Sequence, residues 1–337
     1  MRWSVLLGLA LVSAACRQTV VFDQTRLDGG GGGGGTGGGS PTCSGPLTEF
    51  NPESPEVIVV LDRSTGMNTR FGDSTPLVTA REALDQFAAK YQKVVRYGYV
   101  EFPGTSMLCS PQCTSCPGTV SAPNPNFEAF RVNLHACDQS CSDAGNQSLR
   151  PTAAALASCG YVLSRPTDGS QRYVLLITNG RPDCGTGQNA GCTDAKNAVN
   201  ALANSNANIR TLVVAPGQLD FDTMDCMDGL ALAGGANKSP SPYYYPASNQ
   251  SDLSAVIADI THNIATDACH LSLPYSPVSD GATVLWKNTK IPHDRDYGWD
   301  WDNRGFEIIL HGQWCDHLLA DGPMDFAVYA SCNPPHP

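Results

Sequence analysis

Short apolar runs alternate with stretches of helical periodicity along the central part of the chain. The apolar runs fall at residues 57–61 (VIVVL), 95–102 (VRYGYVEF), 172–178 (RYVLLIT) and 209–215 (IRTLVVA), with a shorter one at 243–246. Helices are predicted at residues 76–93, 151–163, 193–203, 221–233 and 252–265. Buried strands that alternate with helices form a parallel sheet covered on both sides. The pattern therefore predicts an α/β fold with a doubly wound, mostly parallel sheet and helices on both faces.

The first apolar run ends abruptly in the polar segment DRSTGM, which begins at Asp62 and includes Ser64. Ligands of open α/β sheets bind in the crevice at the carboxyl ends of the strands. Asp62 directly follows the carboxyl end of the first strand. We therefore expect it at the rim of the sheet rather than in its core.

The order of segments over residues 55–265 resembles a von Willebrand factor A domain, and DRSTGM resembles its metal-ion-dependent adhesion site. The family pattern is Asp-x-Ser-x-Ser after the first strand, a threonine before a later helix and an aspartate after the fourth strand. Asp62 and Ser64 match the first two positions, and Thr152, in the segment RPTAAAL, matches the threonine. Asn179 stands at the position of the aspartate.

Two positions depart from the family pattern: Gly66 replaces the second serine, and Asn179 replaces the aspartate. The resemblance implies a Mg²⁺ or Ca²⁺ site formed by Asp62, Ser64, Thr152 and Asn179, because these ions prefer oxygen ligands. The site is weakened by the loss of one ligand and one negative charge. A carboxylate of a protein partner is expected to complete the coordination shell.

A metal-free scaffold is the alternative to the metal site. In that case the fold mediates structural protein interactions, and Asp62 only caps its loop by accepting backbone N–H bonds. A third interpretation is an exported hydrolase, but the chain has no G-x-S-x-G, H-E-x-x-H or Walker A motif. We therefore expect a binding protein rather than an enzyme.

The first residues, MRWSVLLGLALVSAAC, predict a signal peptide over residues 1–15, since the apolar run is too short to span a membrane. Cys16 resembles the lipidated cysteine of bacterial lipoproteins; ordinary cleavage after Ala15 is the alternative. Residues 16–50 contain a glycine-rich stretch that predicts a disordered tether. The chain is therefore similar to a bacterial lipoprotein, held at the cell envelope by a lipid anchor without a transmembrane helix, or else is secreted.

Fourteen cysteines suit an exported protein in an oxidising compartment. A Cys-rich insertion at about 103–141 is expected to be held by disulfides rather than by a core of its own, with a zinc site at Cys113 and Cys116 as the alternative. Cys184 and Cys192 are expected to close the short loop between them. The net charge of −11 and the lack of a basic patch argue against nucleic-acid binding.

The last part of the chain has a different pattern from residues 51–268, which form the predicted von Willebrand factor A-like domain. Within residues 269–337, the segments ATVLWK, FEIILHG and MDFAVYASC predict strands separated by turns. Such a module is too small to be stable without covalent help. We expect a small all-β C-terminal module stapled by Cys269, Cys315 and Cys332.

Overall fold

The structure is a computed structural model that describes residues 47–48, 54–103, 120–136, 149–164, 170–184, 190–272, 282–302, 307–323 and 326–329. The predicted signal peptide, Cys16, most of the predicted tether, Cys332 and the pair Cys113 and Cys116 lie outside these ranges. Among the helices within them, none has the length and apolar character needed to cross a membrane.

A six-stranded sheet forms the centre of the molecule. Its strands are β2 (Glu56–Asp62), β3 (Arg96–Phe102), β4 (Ser121–Asn124), β5 (Arg172–Ile177), β6 (Arg210–Pro216) and β7 (Tyr245–Ala247), in the spatial order β4-β3-β2-β5-β6-β7. All neighbouring pairs are parallel except β3 and β4. The predicted α/β fold, von Willebrand factor A-like in its arrangement, is confirmed.

Helices cover both faces of this sheet. They are α1 (Pro76–Tyr91), α2 (Phe127–His135), α3 (Thr152–Leu163), α4 (Ala190–Ala203), α5 (Phe221–Ala233) and α6 (Gln250–Thr266). Helices α1, α2 and α6 pack with one set of strand side chains, and α3, α4 and α5 pack with the other. Along β2, Val59 and Leu61 face the first layer while Ile58 and Val60 face the second. Each side chain of this kind contributes roughly 1.5–3 kcal/mol by burial.

The Cys-rich insertion contains ordered structure that the sequence pattern did not predict. Strand β4 pairs with β3, and helix α2 buries Phe127, Phe130 and Leu134 in the main core. The described part of the segment 103–141 is thus held by the core of the main domain, and the expectation that disulfides hold the insertion stays a prediction. Its Cys109, Cys137 and Cys141 lie outside the described residues.

In its described residues, the C-terminal region forms two small antiparallel sheets and one α-helix. Its strands are β8 (His270–Ser272), β9 (Thr283–Trp286), β10 (Thr289–Lys290), β11 (Trp299–Trp301), β12 (Glu307–Leu310) and β13 (Phe326–Tyr329), and its helix is α7 (Gln313–Asp321). A disulfide joins Cys269 to Cys315, as a stapled module requires. The small sheets are confirmed, but the helix means that the region is not purely β.

The C-terminal region is not packed apart from the main domain. Trp314, Leu318 and Phe326 belong to the same continuous core as α1, α6 and one face of the main sheet. A further strand, β1 (Leu47–Thr48), pairs with β13. The end of the predicted tether therefore joins a sheet of the C-terminal region.

The described disulfides correct one predicted pairing. Cys192, near the start of α4, is bonded to Cys226 of α5, so the expected bond between Cys184 and Cys192 is wrong. Cys184 is itself disulfide-bonded. The observed bond ties together two neighbouring helices rather than the ends of one short loop.

Candidate functional site

Asp62 is the last residue of β2, and its side chain is completely buried although it lies at the carboxyl edge of the sheet. Oδ1 accepts a hydrogen bond of 2.7 Å from the Ser64 N–H, and Oδ2 accepts one of 2.7 Å from Thr178 Oγ1. Burial raises the pKa of Asp62, while these two hydrogen bonds and the charge of Arg150 oppose the rise. The carboxylate is thus buried deeper than the sequence predicted, and it caps its own loop.

Ser64 precedes a 3₁₀ turn, Thr65–Asn68, which carries the chain away from the sheet. The turn is anchored by Met67, whose side chain is fully buried. Ser64 is buried as well, and its Oγ makes no hydrogen bond of ordinary geometry with the described residues. The hydroxyl is still near enough to Asp62 to help hold down the pKa of that carboxyl. An unmatched hydroxyl in the interior marks a place where a further group fits.

Asn179 reaches the same place from the end of β5. Its Nδ2 donates a hydrogen bond of 2.6 Å to the Gly66 carbonyl. Its Oδ1 is buried and lacks a hydrogen-bond partner within the described part of the chain. The segments that follow β2 and β5 are therefore in direct contact, as the parallel register of the two strands requires.

Thr152 is the first residue of α3 and is fully buried. Its hydroxyl donates a hydrogen bond of 3.4 Å to the Arg150 carbonyl, close to the limit for such a bond. The structure thus places Thr152 beside the segment that approaches Asp62. Thr152 is linked to the site through Arg150. Asp62 instead accepts a hydrogen bond from Ser64, and Asn179 contacts the loop that follows Ser64.

Arg150 is the site residue that the sequence did not single out. Its Nε lies 3.4 Å from Asp62 Oδ2, and its Nη1 lies 3.5 Å from Asp183 Oδ2. The backbone N–H of Arg150 also donates a hydrogen bond of 2.5 Å to Asp183 Oδ1. The guanidinium is 18% exposed, so it closes the site over the buried carboxylate.

The von Willebrand factor A resemblance implies a divalent metal here. Some of the oxygen atoms at the site favour such an ion, but the surroundings of Asp62 do not. Ser64 Oγ and Asn179 Oδ1 are unmatched oxygens of the kind that Mg²⁺ and Ca²⁺ prefer. The Asp62 carboxylate, however, is already paired with Arg150, and a metal beside it would stand close to a second cation. The residues as arranged therefore do not fit Mg²⁺ or Ca²⁺. Coordination by Asp62, Ser64, Thr152 and Asn179 stays a prediction.

No group of three or more His, Cys, Asp or Glu side chains in the described ranges is arranged to hold a metal ion. No described histidine forms a hydrogen bond with Ser64 or Thr152. His262, for example, contacts Tyr91 OH at 3.1 Å, and His135 lies 3.7 Å from Asp85. The hydrolase interpretation therefore gains no support from the geometry around these hydroxyls.

Further charged and aromatic residues surround the site at the carboxyl edge. Arg63, which follows Asp62, forms a 2.6 Å ion pair with Glu101 of β3. Arg181, two residues after Asn179, lies 3.6 Å from Asp222 of α5. The first residue of α5, Phe221, is 77% exposed. The edge therefore presents a large aromatic side chain close to a cluster of paired charges.

No protein-family model matches the chain, and no curated protein matches it in sequence. Similar folds occur among solved structures. The pilus adhesin SpaC from Lactobacillus rhamnosus GG superposes with a TM-score of 0.50 at 11% identity, over 84% of this chain and 40% of the adhesin. The PilB minor pilin from Streptococcus sanguinis gives 0.44 at 13%, over 65% of this chain and 63% of the pilin.

A manganese-loaded TRAP protein of Plasmodium vivax gives a TM-score of 0.42 at 14% identity, over 64% of this chain and 76% of that protein. This chain thus spans about 40% of the length of the adhesin SpaC. At 11% identity the likeness to SpaC concerns the fold alone. The chain has a von Willebrand factor A-like fold, and its function has to be argued from the site.

Proposed function

We propose that this chain is a binding protein, tethered at the cell envelope, that engages a protein partner through the carboxyl edge of its main sheet. One observation carries the proposal. Ser64 Oγ and Asn179 Oδ1 are buried near the ion pair of Arg150 with Asp62, and neither oxygen makes a hydrogen bond of ordinary geometry with the described residues. Folded proteins leave few such atoms, so a cluster of them at the ligand-binding edge of an α/β sheet favours a binding site.

The surface around the cluster supports the same function. Phe221 is exposed at the carboxyl edge, and the ion pair between Arg181 and Asp222 connects its helix to the segment of Asn179. Aromatic and arginine side chains are enriched among the residues that carry the binding energy of protein interfaces. Phe221 is therefore the side chain that we expect to anchor the partner.

The metal-free form of this function agrees best with the arrangement. Divalent coordination by Asp62, Ser64, Thr152 and Asn179 would need Arg150 to leave the carboxylate that it now contacts. Without a metal, an acidic group on the partner would meet the guanidinium directly. It would compete there with Asp183, which lies 3.5 Å from the same guanidinium.

Export of the chain is part of the proposal. Two disulfides, Cys192–Cys226 and Cys269–Cys315, join described residues, and such bonds persist in oxidising compartments. A lipid on Cys16 would hold the folded part at a membrane through the glycine-rich segment. Mass spectrometry of the mature N-terminus distinguishes a diacylglycerol-modified Cys16 from simple cleavage after Ala15.

A photo-crosslinking amino acid at position 221 tests the binding surface in cells that make the protein. The matched control is Tyr161, which is 90% exposed and lies near the C-terminal end of α3, the end away from Thr152. We expect a discrete cross-linked product from position 221 and none from position 161. Equal labelling from both positions, or none from 221, would contradict the proposed surface.

The same cross-link separates the two forms of the function. A product that persists in EDTA supports direct contact between the partner and protein groups. A product from position 221 that disappears in EDTA and returns with Mg²⁺ or Ca²⁺ would restore the metal-dependent form.

A further inference from the structure

The Arg150 guanidinium lies among the positions that carry metal ligands in the von Willebrand factor A pattern. Its Nε is 3.4 Å from Asp62 Oδ2. Its Nη2 is 2.7 Å from the point where a side chain at position 66 would begin, and its Cζ is 2.2 Å from the corresponding point at Gly180. The guanidinium thus fills the space between the segments that follow β2 and β5.

Gly66 leaves the space that the Arg150 guanidinium occupies. A Cβ there would meet Arg150 Nη2 at 2.7 Å and Asn179 Oδ1 at 2.6 Å, both closer than real Cβ contacts. The family pattern has a serine at this position. Its replacement by Gly66 is therefore the change that leaves room for a guanidinium.

The neutral side chain at position 179 also agrees with a guanidinium in this space. A divalent ion suits a site with two buried carboxylates, but here Asp62 is the buried one and Asn179 stands where the second would be. Asp183, which also contacts the guanidinium, is exposed to solvent at 37%. A guanidinium has a single positive charge, so one buried carboxylate balances it. The amide of Asn179 also donates to the Gly66 carbonyl, which an ionised carboxylate does not do.

We propose that Arg150 is the resident cation of this site, with its guanidinium in the place of the divalent ion of the family. It holds the segments after β2 and β5 and the start of α3 together, so the site keeps its geometry without metal. The inference rests on the same site as the proposed function, which it makes metal-independent. It is tested on the protein alone, without any partner.

The competing explanation is that Arg150 swings out whenever a metal binds. Titration of the full chain with Mn²⁺, followed by the electron paramagnetic resonance signal of the free ion, distinguishes the two. Only the binding that Asp62→Asn removes is counted, because an acidic chain also binds metal weakly elsewhere. Arg181→Ala removes a neighbouring arginine that contacts Asp222 instead, and it serves as the matched control.

We expect no Asp62-dependent Mn²⁺ binding through the millimolar range in the wild type or in Arg181→Ala. Arg150→Ala frees the carboxylate and the space beside Gly66, so its Asp62-dependent affinity should rise at least tenfold. Asp62-dependent binding of equal strength in the wild type and Arg150→Ala would overturn the proposal. So would the lack of any such binding in Arg150→Ala.

Melting temperatures give a second test that does not depend on metal. Arg150→Met leaves the buried Asp62 carboxylate without its counter-charge, which should lower the melting temperature by several degrees. The same change made together with Asp62→Asn should lower it by less than half as much. Equal losses in both backgrounds would show that Arg150 does not act on Asp62.

The results of these tests can contradict the role of Arg150 without contradicting the proposed binding function, and the reverse also holds. A resident cation together with no cross-link from position 221 would leave a metal-free scaffold without this binding surface. A cross-link together with Asp62-dependent Mn²⁺ binding in the wild type would keep the binding function and remove the role of Arg150.

Discussion

At the scale of single residues, the site depends on how closely Arg150 approaches the backbone. Gly66 and Gly180 allow this approach because neither has a Cβ. A buried ion pair adds little net stability, since both charges lose their hydration, but removing one partner leaves the other uncompensated. The pair of Asp62 and Arg150 therefore specifies the geometry of the edge more than it stabilises the fold.

The substitution Gly66→Ser should lower the free energy of unfolding by about 1–3 kcal/mol, the usual cost of overpacking. The added side chain would displace Arg150 Nη2 and the amide of Asn179. Urea denaturation measures the change. Gly229→Ser on α5 is the control, because a Cβ there meets only Lys196 Nζ, at 3.9 Å. A loss in Gly66→Ser no larger than in the control would contradict the close packing described here.

A second prediction at this scale concerns Asp267, which follows α6 and accepts a hydrogen bond from Tyr173 OH. Burial raises the pKa of Asp267 above its usual value of 3.8, although Tyr173, His270 and Arg210 oppose the rise. The folded state then keeps a proton that the unfolded state releases. This carboxyl therefore costs stability as the pH rises from 3.8 through its folded pKa.

The substitution Asp267→Asn removes this titration and keeps an acceptor for Tyr173. The stability of the wild type relative to the variant should fall between pH 3 and pH 7, measured by urea denaturation at both ends. Other titrating groups cancel in the difference. A difference that stays constant or grows with pH would mean that the hydrogen bond and the nearby cations outweigh burial.

Several site residues could be placed from the sequence, because strand ends fix them. Asp62 ends a buried strand and Asn179 follows another, so a parallel sheet brings them to one edge. The role of Arg150 could not be predicted this way. Its contact with Asp62 depends on how the segment before α3 crosses the edge of the sheet. The hydrophobic pattern of the sequence does not predict that path. The bond between Cys192 and Cys226 likewise depends on the packing of α4 against α5.

At the scale of elements, long periodic segments were predictable and short ones were not. Apart from β4 and α2, which were not predicted, the strands of the main sheet and the helices that cover it lie close to their predicted bounds. Helix α2 was missed because nine residues give little periodicity within a segment dominated by Cys, Pro and Asn. Its start is nevertheless defined by Asn126, whose side chain accepts a hydrogen bond of 3.1 Å from the Glu128 N–H.

The packing of α2 predicts a large loss of stability on Phe130→Ala. Phe130 is fully buried against Tyr97 and Tyr99 of β3, with ring centroids 5.3 Å and 6.2 Å apart. Its truncation should cost about 3–5 kcal/mol. Val132→Ala, on the exposed side of the same helix, should change stability by less than about 0.5 kcal/mol. Chemical denaturation of both variants measures the two changes. Equal, small losses would mean that this helix lies on the surface of the domain without contributing to its core.

At the scale of the whole molecule, the C-terminal region completes the core rather than forming a separate unit. Helix α7 lies against α1 and α6, and Lys93, just after α1, donates a hydrogen bond of 2.9 Å to the Ala320 carbonyl. The Cys269–Cys315 disulfide ties α7 to the end of α6. The sequence predicted β9, β12 and β13 of this region but not β8, β10 or β11. It also did not predict the attachment to the main core, because the residues that share this core lie far apart in the sequence.

This shared core predicts that the described chain unfolds in one cooperative transition. Leu318→Ala in α7 removes a fully buried side chain and should cost about 2–5 kcal/mol. Because Leu318 packs in the same core as α1 and α6, the loss should shift the entire transition. Calorimetry with intact disulfides should then give a single peak at a lower temperature.

Leu232→Ala on α5 is the control, since Leu232 is half exposed and its loss should leave the melting temperature nearly unchanged. Two separate peaks, of which Leu318→Ala moves only one, would mean that the C-terminal region melts by itself. In that case the contacts of α7 would be too weak to couple the two parts. A single shifted peak instead means that the carboxyl edge around Asp62 is stabilised in part by residues more than two hundred positions further along the chain.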